Sequence, residues 1–156
     1  MTDDFQPMLM RAITIAIQAH AVQVDKQGKP YILHVMRVAT SPRLLNIRDQ
    51  IVAALHDVVE DSDITLEELR PYFPPYEMDA VDCLTRRGGE AYDVYIARLL
   101  RNSRAALVKL ADLDDNISRL QKLNHEDRAR LGPRYIKARD HIEIALQLHA
   151  SPLFST

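Results

Sequence analysis

The stretch Ile47-Arg-Asp-Gln-Ile-Val-Ala-Ala-Leu-His56-Asp57-Val-Val-Glu60-Asp61 decides the fold. Ile51, Val52, Ala54, Leu55, Val58 and Val59 leave little polar surface over its central turns, which predicts a mostly apolar helix from about 47 to 61. Such a helix needs other helices around it, and the flanking segments supply them. Met8, Ala12, Ile13, Ala16, Ile17 and Ala19 recur at helical spacing up to about Gln23, with Asp3 or Asp4 as the cap and Pro7 in the first turn. Asp25-Lys26-Gln27-Gly28-Lys29-Pro30 predicts a loop, and a short helix over about 33–40 follows, ended near Pro42. Thr65-Leu66-Glu67-Glu68 has the spacing of a capping box and opens a short helix before Pro71. Beyond Pro74-Pro75, helices are predicted over about 76–86 and 90–102, split by Gly88-Gly89, and then over about 104–123. A last amphipathic helix runs from Pro133 to Ala150. No stretch sustains a period-two alternation. The expected fold is therefore all-α, a single domain over residues 1–150 with seven or eight helices, and a loose tail at 151–156.

The chain has 156 residues, enough for one hydrophobic core without disulfide or metal staples. One cysteine, Cys83, excludes an internal disulfide framework and a Cys-rich zinc site, and fits a reducing compartment. Four glycines, at 28, 88, 89 and 132, cannot make a dinucleotide fingerprint or a P-loop. A net charge of −2 speaks against a partner such as nucleic acid, whose binding requires many phosphates to be neutralised. The acidic first residues and short apolar runs predict neither a signal peptide nor a membrane span, so the cytoplasm is the default location.

Six histidines remain, and chemistry concentrates around two of them. His56 and Asp57 sit on apolar ground with Glu60 and Asp61 close behind. Burying such charges unpaired is costly, and a divalent cation is the most economical compensation. The competing reading is a helix end with solvated acids and a histidine satisfied within the core. His34, after Pro30-Tyr31-Ile32-Leu33, fits a structural role or a ligand role. Asp112 lies among Leu107, Val108, Leu110, Ala111 and Leu113, poor surroundings for a solvated charge. Lys109, Asp112, Asn116 and Arg119 follow helical spacing along one stripe, which a surface ladder of ion pairs would also produce.

Taken together, His34, the His56-Asp57 doublet and Asp112 resemble the H…HD…D signature of the HD-domain metal-dependent phosphohydrolases. The similarity is closer to the hydrolase domain of RelA/SpoT-type proteins and the stand-alone small alarmone hydrolases. Three pieces carry it: Gly28-Lys29-Pro30-Tyr31-Ile32-Leu33-His34, Ala54-Leu55-His56-Asp57-Val58-Val59-Glu60-Asp61, and Val108-Lys109-Leu110-Ala111-Asp112 with Asn116. They stand in the family's order and extend over most of the chain.

The resemblance implies an HD-type helical bundle holding one Mn²⁺, or another divalent transition metal, on His34, His56, Asp57 and Asp112. It implies a hydroxide nucleophile generated with the metal's help, and Glu60 and Asp61 as the acidic pair that orients or deprotonates it. The reaction would release pyrophosphate from the 3′ position of guanosine 3′,5′-bis(diphosphate) or its pentaphosphate. Tyr31 and Asn116 match positions that shape the nucleotide pocket, Lys26 and Lys29 border it, and Lys109 with Arg86 or Arg87 would offset leaving-group charge.

Three departures bear on base recognition and leave the metal chemistry untouched. Asp25 stands where bifunctional relatives carry a guanine-stacking Arg, Val35 follows His34 in place of Pro, and Ile117-Ser118-Arg119 follows Asn116. An alternative is therefore a phosphatase or pyrophosphohydrolase acting on NADPH or another nucleotide. A metal-stabilised, non-catalytic nucleotide-binding module is the alternative of a different class. At 156 residues no synthetase half is expected, and a monomer or homodimer is expected to act alone on its nucleotide. Of the other histidines, His20 is expected to pack or hydrogen-bond near the loop, and His125, His141 and His149 to face solvent.

Overall fold

In the computed structural model, which describes residues 5–150, the five residues from Ile51 to Leu55 have no exposed surface at all. They belong to α3 (Ile47–Leu55), which is enclosed by α1 (Phe5–Ala19), α2 (Ile32–Ala39), α6 (Pro75–Leu84) and α8 (Ser103–Ser118). That is the arrangement a helix apolar all round demands. Between α3 and α6 lie two single turns, α4 (Val58–Asp61) and α5 (Leu66–Leu69). α7 (Tyr92–Leu99) packs on α6, and α9 (His125–Ala150) lies along α8 and touches α7. The fold is all-α, and the described residues carry only an isolated bridge between Val24 and Pro30. No helix among them is long and apolar enough to cross a membrane. The expected cap at Asp3 or Asp4, the tail at 151–156 and the side chain of His149 lie outside the described residues.

Among the described residues, the helix predicted over 47–61 is interrupted at His56 and Asp57 and so divides into α3 and the single turn α4. Asp57 takes φ −110° and ψ −1°, the sparsely populated bridge region that often hosts functional side chains. The interruption lets His56 Nδ1 donate to the Ala53 carbonyl at 2.6 Å. The last helix begins eight residues earlier than the Pro133 start that was read from sequence. Asn124 caps it: its side-chain oxygen accepts from the Asp127 amide at 2.8 Å, and its carbonyl from the Arg128 amide at 3.0 Å. Pro133 is then accommodated inside the helix. The first helix ends at Ala19 and not near Gln23, and α8 stops at Ser118, followed by a 3₁₀ turn at Leu120–Lys122. The capping box forms as read, with the Thr65 and Glu68 side chains each accepting from the other's amide.

Two local devices hold the cleft-bearing parts in place. Glu77 on α6, wholly buried, accepts from the Arg48 guanidinium of α3 and from Arg104 Nη1 of α8 at 3.1 Å. Arg104 Nε also donates to Asp49 at 2.6 Å, so three helices are cross-tied through charge. The 25–30 loop is closed by Asp25, whose Oδ1 accepts from the amides of Gln27 and Lys29 at 2.8 and 2.9 Å. Its tip needs Gly28, at φ +74°.

Candidate active site

α2 carries His34, the α3–α4 junction carries His56 and Asp57, and α8 carries Asp112; packing around α3 brings the four together. His34, His56 and Asp57 each offer a ligand atom within 4.8 Å of the others'. His34 Nε2 is 3.1 Å from Asp112 Oδ1 and 4.0 Å from Asp57 Oδ2. His56 Nε2 is 2.9 Å from Asp57 Oδ2 and 3.8 Å from Asp112 Oδ1.

The far side of each ring fixes its tautomer. His34 Nδ1 donates to Asp115 Oδ2 at 2.7 Å, and His56 Nδ1 donates to the Ala53 carbonyl at 2.6 Å. In the neutral rings both Nε2 lone pairs then face carboxylate oxygens, which have no proton to give. His56 Nε2 is buried and has no hydrogen-bond partner. Two inward lone pairs among two carboxylates could hold a divalent cation, and the paired Nδ1–H groups are the orientation that metal-bound histidines adopt. These residues fit a metal.

The surrounding carboxylates also favour positive charge at this point. Burial opposes charge on both imidazoles, yet the carboxylates around them raise both, His56 well above its ordinary value. Burial likewise opposes charge on Asp57, but His56 beside it holds its carboxyl below the usual range. Asp112 is also held well below: burial is outweighed by Lys109, whose ammonium donates to Oδ2 at 2.7 Å, and by the imidazoles. Asn116 Nδ2 donates to Asp112 Oδ1 at 2.8 Å, and the Tyr31 hydroxyl to Asp57 Oδ2 at 2.6 Å. Burial and the Asp57 charge push the Tyr31 phenol up, keeping it a donor. Three expected substrate contacts, Tyr31, Lys109 and Asn116, thus direct their polar atoms onto the carboxylates of the cluster.

The cluster lines a cleft of about 340 Å³. Glu60, Lys26 and Arg86 line it, together with Tyr31, Lys109 and Asn116. Glu60 Oε1 accepts from the Arg86 amide at 2.7 Å, and its carboxyl is raised by burial. Asp61 is not on the cleft wall: its Oδ2 accepts from Gln23 Nε2 at 3.0 Å. Gln23 in turn accepts from His20 Nδ1 at 2.7 Å, and the buried His20 ring lies 5.1 Å from that of Tyr31. Lys26 pairs with Asp127 at 3.4 Å, and the Arg86 guanidinium donates to the Glu90 carbonyl. Asp25 Oδ2 accepts from Arg119 Nη2 at 2.5 Å, tying the loop to the end of α8. His125 and His141 are exposed.

Several participants escaped the reading of the sequence. Asp115 braces His34 and takes Arg37 Nε at 2.7 Å; its position three residues after Asp112 was the available signal, since a ligand histidine needs an acceptor behind it. Tyr92 and Tyr95 from α7, and Arg134 and Tyr135 from α9, also line the cleft.

No family model matches the chain. The chain is 32% identical over 152 residues to a probable GTP pyrophosphokinase of Mycobacterium leprae, an alignment covering 90% of this chain and 19% of that protein. It is 32% identical over 133 residues to the guanosine-3′,5′-bis(diphosphate) 3′-pyrophosphohydrolase of Aquifex aeolicus, covering 79% of this chain and 19% of that one. The chain thus spans about a fifth of the length of these relatives. Among solved structures it matches one reported as "A metazoan ortholog of SpoT hydrolyzes ppGpp and plays a role in starvation responses". The TM-score is 0.72 at 24% identity, over 92% of this chain and 96% of that one, and establishes a shared fold.

Proposed function

The chain belongs to the RelA/SpoT-type branch of the HD-domain superfamily, and we propose that it is a metal-dependent phosphohydrolase. Its substrate in this reading is guanosine 3′,5′-bis(diphosphate) or the pentaphosphate, from which it releases the 3′ pyrophosphate. The observation that carries the proposal is the pair of buried imidazoles braced at Nδ1, with both Nε2 atoms turned on Asp57 and Asp112. The names of the longer relatives support the choice of substrate.

His34, His56, Asp57 and Asp112 would hold one Mn²⁺, an ion suited to a mixed imidazole and carboxylate set. The chemistry such an ion supplies is Lewis acidity, which acidifies water and neutralises phosphoryl oxygens. Tyr31, Asn116 and Lys109 keep the two carboxylates in position. Glu60, raised by burial and facing the cleft, takes the proton of the attacking water. As the water oxygen bonds to phosphorus, the bond from phosphorus to the 3′ oxygen breaks and that oxygen is reprotonated. The products are pyrophosphate and the 5′-diphosphate, or the 5′-triphosphate where the pentaphosphate is the substrate. Asp61 acts through Gln23 as a positioning residue. Lys26 and Arg86 are the cleft's substrate contacts. Free Cys83 suits the cytoplasm, the location we propose.

The test is pyrophosphate release from the alarmone by pure protein with Mn²⁺, alongside NADPH and a panel of nucleotides. Glu60→Ala is expected to abolish turnover while retaining stoichiometric metal. Absence of release from the alarmone rejects that substrate, and unchanged turnover in Glu60→Ala rejects the assigned base.

A further inference from the structure

Helices α3, α6 and α8 all start at one cavity of about 360 Å³, a size that suits a small ligand. Arg48, Tyr76 and Arg104 line it, each the second residue of its helix, and Arg101, Asn102 and Ser103 complete the wall. The cavity shares no lining residue with the cleft. Arg48 stands eight residues before His56 and Arg104 eight before Asp112. At the rise of a helix, that places the cavity about 12 Å from the cluster along α3 and α8.

Charge does not balance at this end of the bundle. Arg48 and Arg104 are answered by two carboxylates, Glu77 and Asp49. Arg101 is exposed and has no carboxylate partner among the described residues. Asn102 caps α8: its side chain accepts from the Ala105 amide at 3.0 Å and its carbonyl from the Ala106 amide at 3.0 Å. The amides of Ser103 and Arg104 are left without partners among the described residues. One guanidinium in excess and three helix starts at about half a charge each leave roughly 2.5 positive charges around the cavity. That excess is nearer to a dianion than to a single carboxylate. Ser103, Arg101 and Tyr76 are all exposed, so a ligand from solvent can meet them. A guanidinium edge takes two oxygens of a phosphate side by side, and first-turn amides take others. We infer that this cavity binds a phosphate group, with Arg101 and the Ser103 and Arg104 amides as its donors, at a place separate from the reaction centre.

The experiment titrates inorganic phosphate into the isotope-labelled full chain, without added metal and at constant ionic strength, while amide resonances are followed by NMR. Saturable shifts are expected at the Ser103 and Arg104 amides, with chloride giving none and acetate binding more weakly. Arg101→Gln is expected to raise the phosphate midpoint at these amides about 10–100-fold, the range for a hydrogen bond to a charged group. Ser103→Pro deletes one of the two amides where the helix tolerates it. Proline is favoured at the first helical position, and Asn102 before it is already extended at φ −125° and ψ 111°. The midpoint read at Arg104 should then rise about 2–10-fold. Arg139, paired with Asp140 at 3.2 Å and lining neither cavity, is the control, and Arg139→Gln should bind as the wild type does. Circular dichroism verifies that each variant folds. No saturable shift at Ser103 and Arg104, equal shifts with chloride, acetate as tight as phosphate, or an unchanged midpoint in Arg101→Gln overturns the site. The titration reads amides outside the cleft and needs no turnover, so its result is independent of the proposed function.

Discussion

Replacing Asp115 with asparagine removes one negative charge from behind His34 and changes the side chain by a single atom. In the native protein, Oδ2 receives His34 Nδ1 at 2.7 Å while Oδ1 receives Arg37 Nε at 2.7 Å. An amide cannot serve both. With its oxygen toward His34, its NH₂ group opposes the Arg37 guanidinium, donor against donor; turned the other way, it opposes His34. The imidazole also loses a charge-assisted bond that raises its basicity as a ligand. Loss of such an outer partner lowers metal affinity about 10–100-fold, which is about 1.4–2.7 kcal/mol. The assay is Mn²⁺ titration in competition with a fluorescent chelator. The same loss should appear as a smaller metal-induced rise in thermal stability. Asp114→Asn is the control: its carboxylate receives Arg43 Nε at 2.5 Å, one residue along the same helix, and does not touch the cluster. An Asp115→Asn affinity indistinguishable from wild type, with Asp112→Asn strongly impaired, would refute the claim that His34 is oriented from behind.

Two further outcomes concern the frame. Glu77→Ala should destabilise the chain by about 3–5 kcal/mol in urea unfolding, because the guanidinium groups of Arg48 and Arg104 lose the buried carboxylate between them; an unchanged midpoint would remove Glu77 from the stability account. Burial disfavours charge on Asp25, but Arg119 and the amides of Lys29 and Gln27 outweigh it and hold the carboxyl at about 2 against an ordinary 3.8. A depressed folded value means the loop's hold is complete above the ordinary value and is lost as pH falls from about 4 toward 2. Protection of the Gln27 and Lys29 amides, measured against their intrinsic exchange rates, should fall over that interval, and at neutral pH in Asp25→Ala. Flat protection through it would show that Asp25 does not fasten the loop.

Much of the frame was legible because local rules agreed with the tertiary structure. The apolar run from Ile51 to Leu55 could only be interior, and the Thr65–Glu68 box formed as spaced. The break after Leu55 was not legible, since apolar residues with ordinary helical propensity stand on both sides. It is accompanied by a bond from His56 to the Ala53 carbonyl that no periodicity reports. Pro133 drew the start of the last helix toward itself, although Asn124, followed by Glu126 and Asp127, held the better signal. In the site, two histidines and two aspartates at family-like separations pointed to one another across the chain. Asp115 and Arg134 stayed hidden because each is an ordinary charged residue on an amphipathic helix, given meaning only by what packs opposite.

The closed 25–30 loop has a consequence for how such a protein can change. Its chain enters and leaves at Val24 and Pro30, which bridge each other, and Asp25 satisfies the turn from within. Lys26 and Gln27 reach the cleft from a clasped segment, while His34 is fixed by the next helix along. The rim of the cleft is therefore an exchangeable part. Side chains at its tip can be swapped, or the loop grafted whole, without shifting α2 by a residue and rotating His34 away from its partners. Variation at the tip can accumulate there while the His34–His56 cluster is inherited intact.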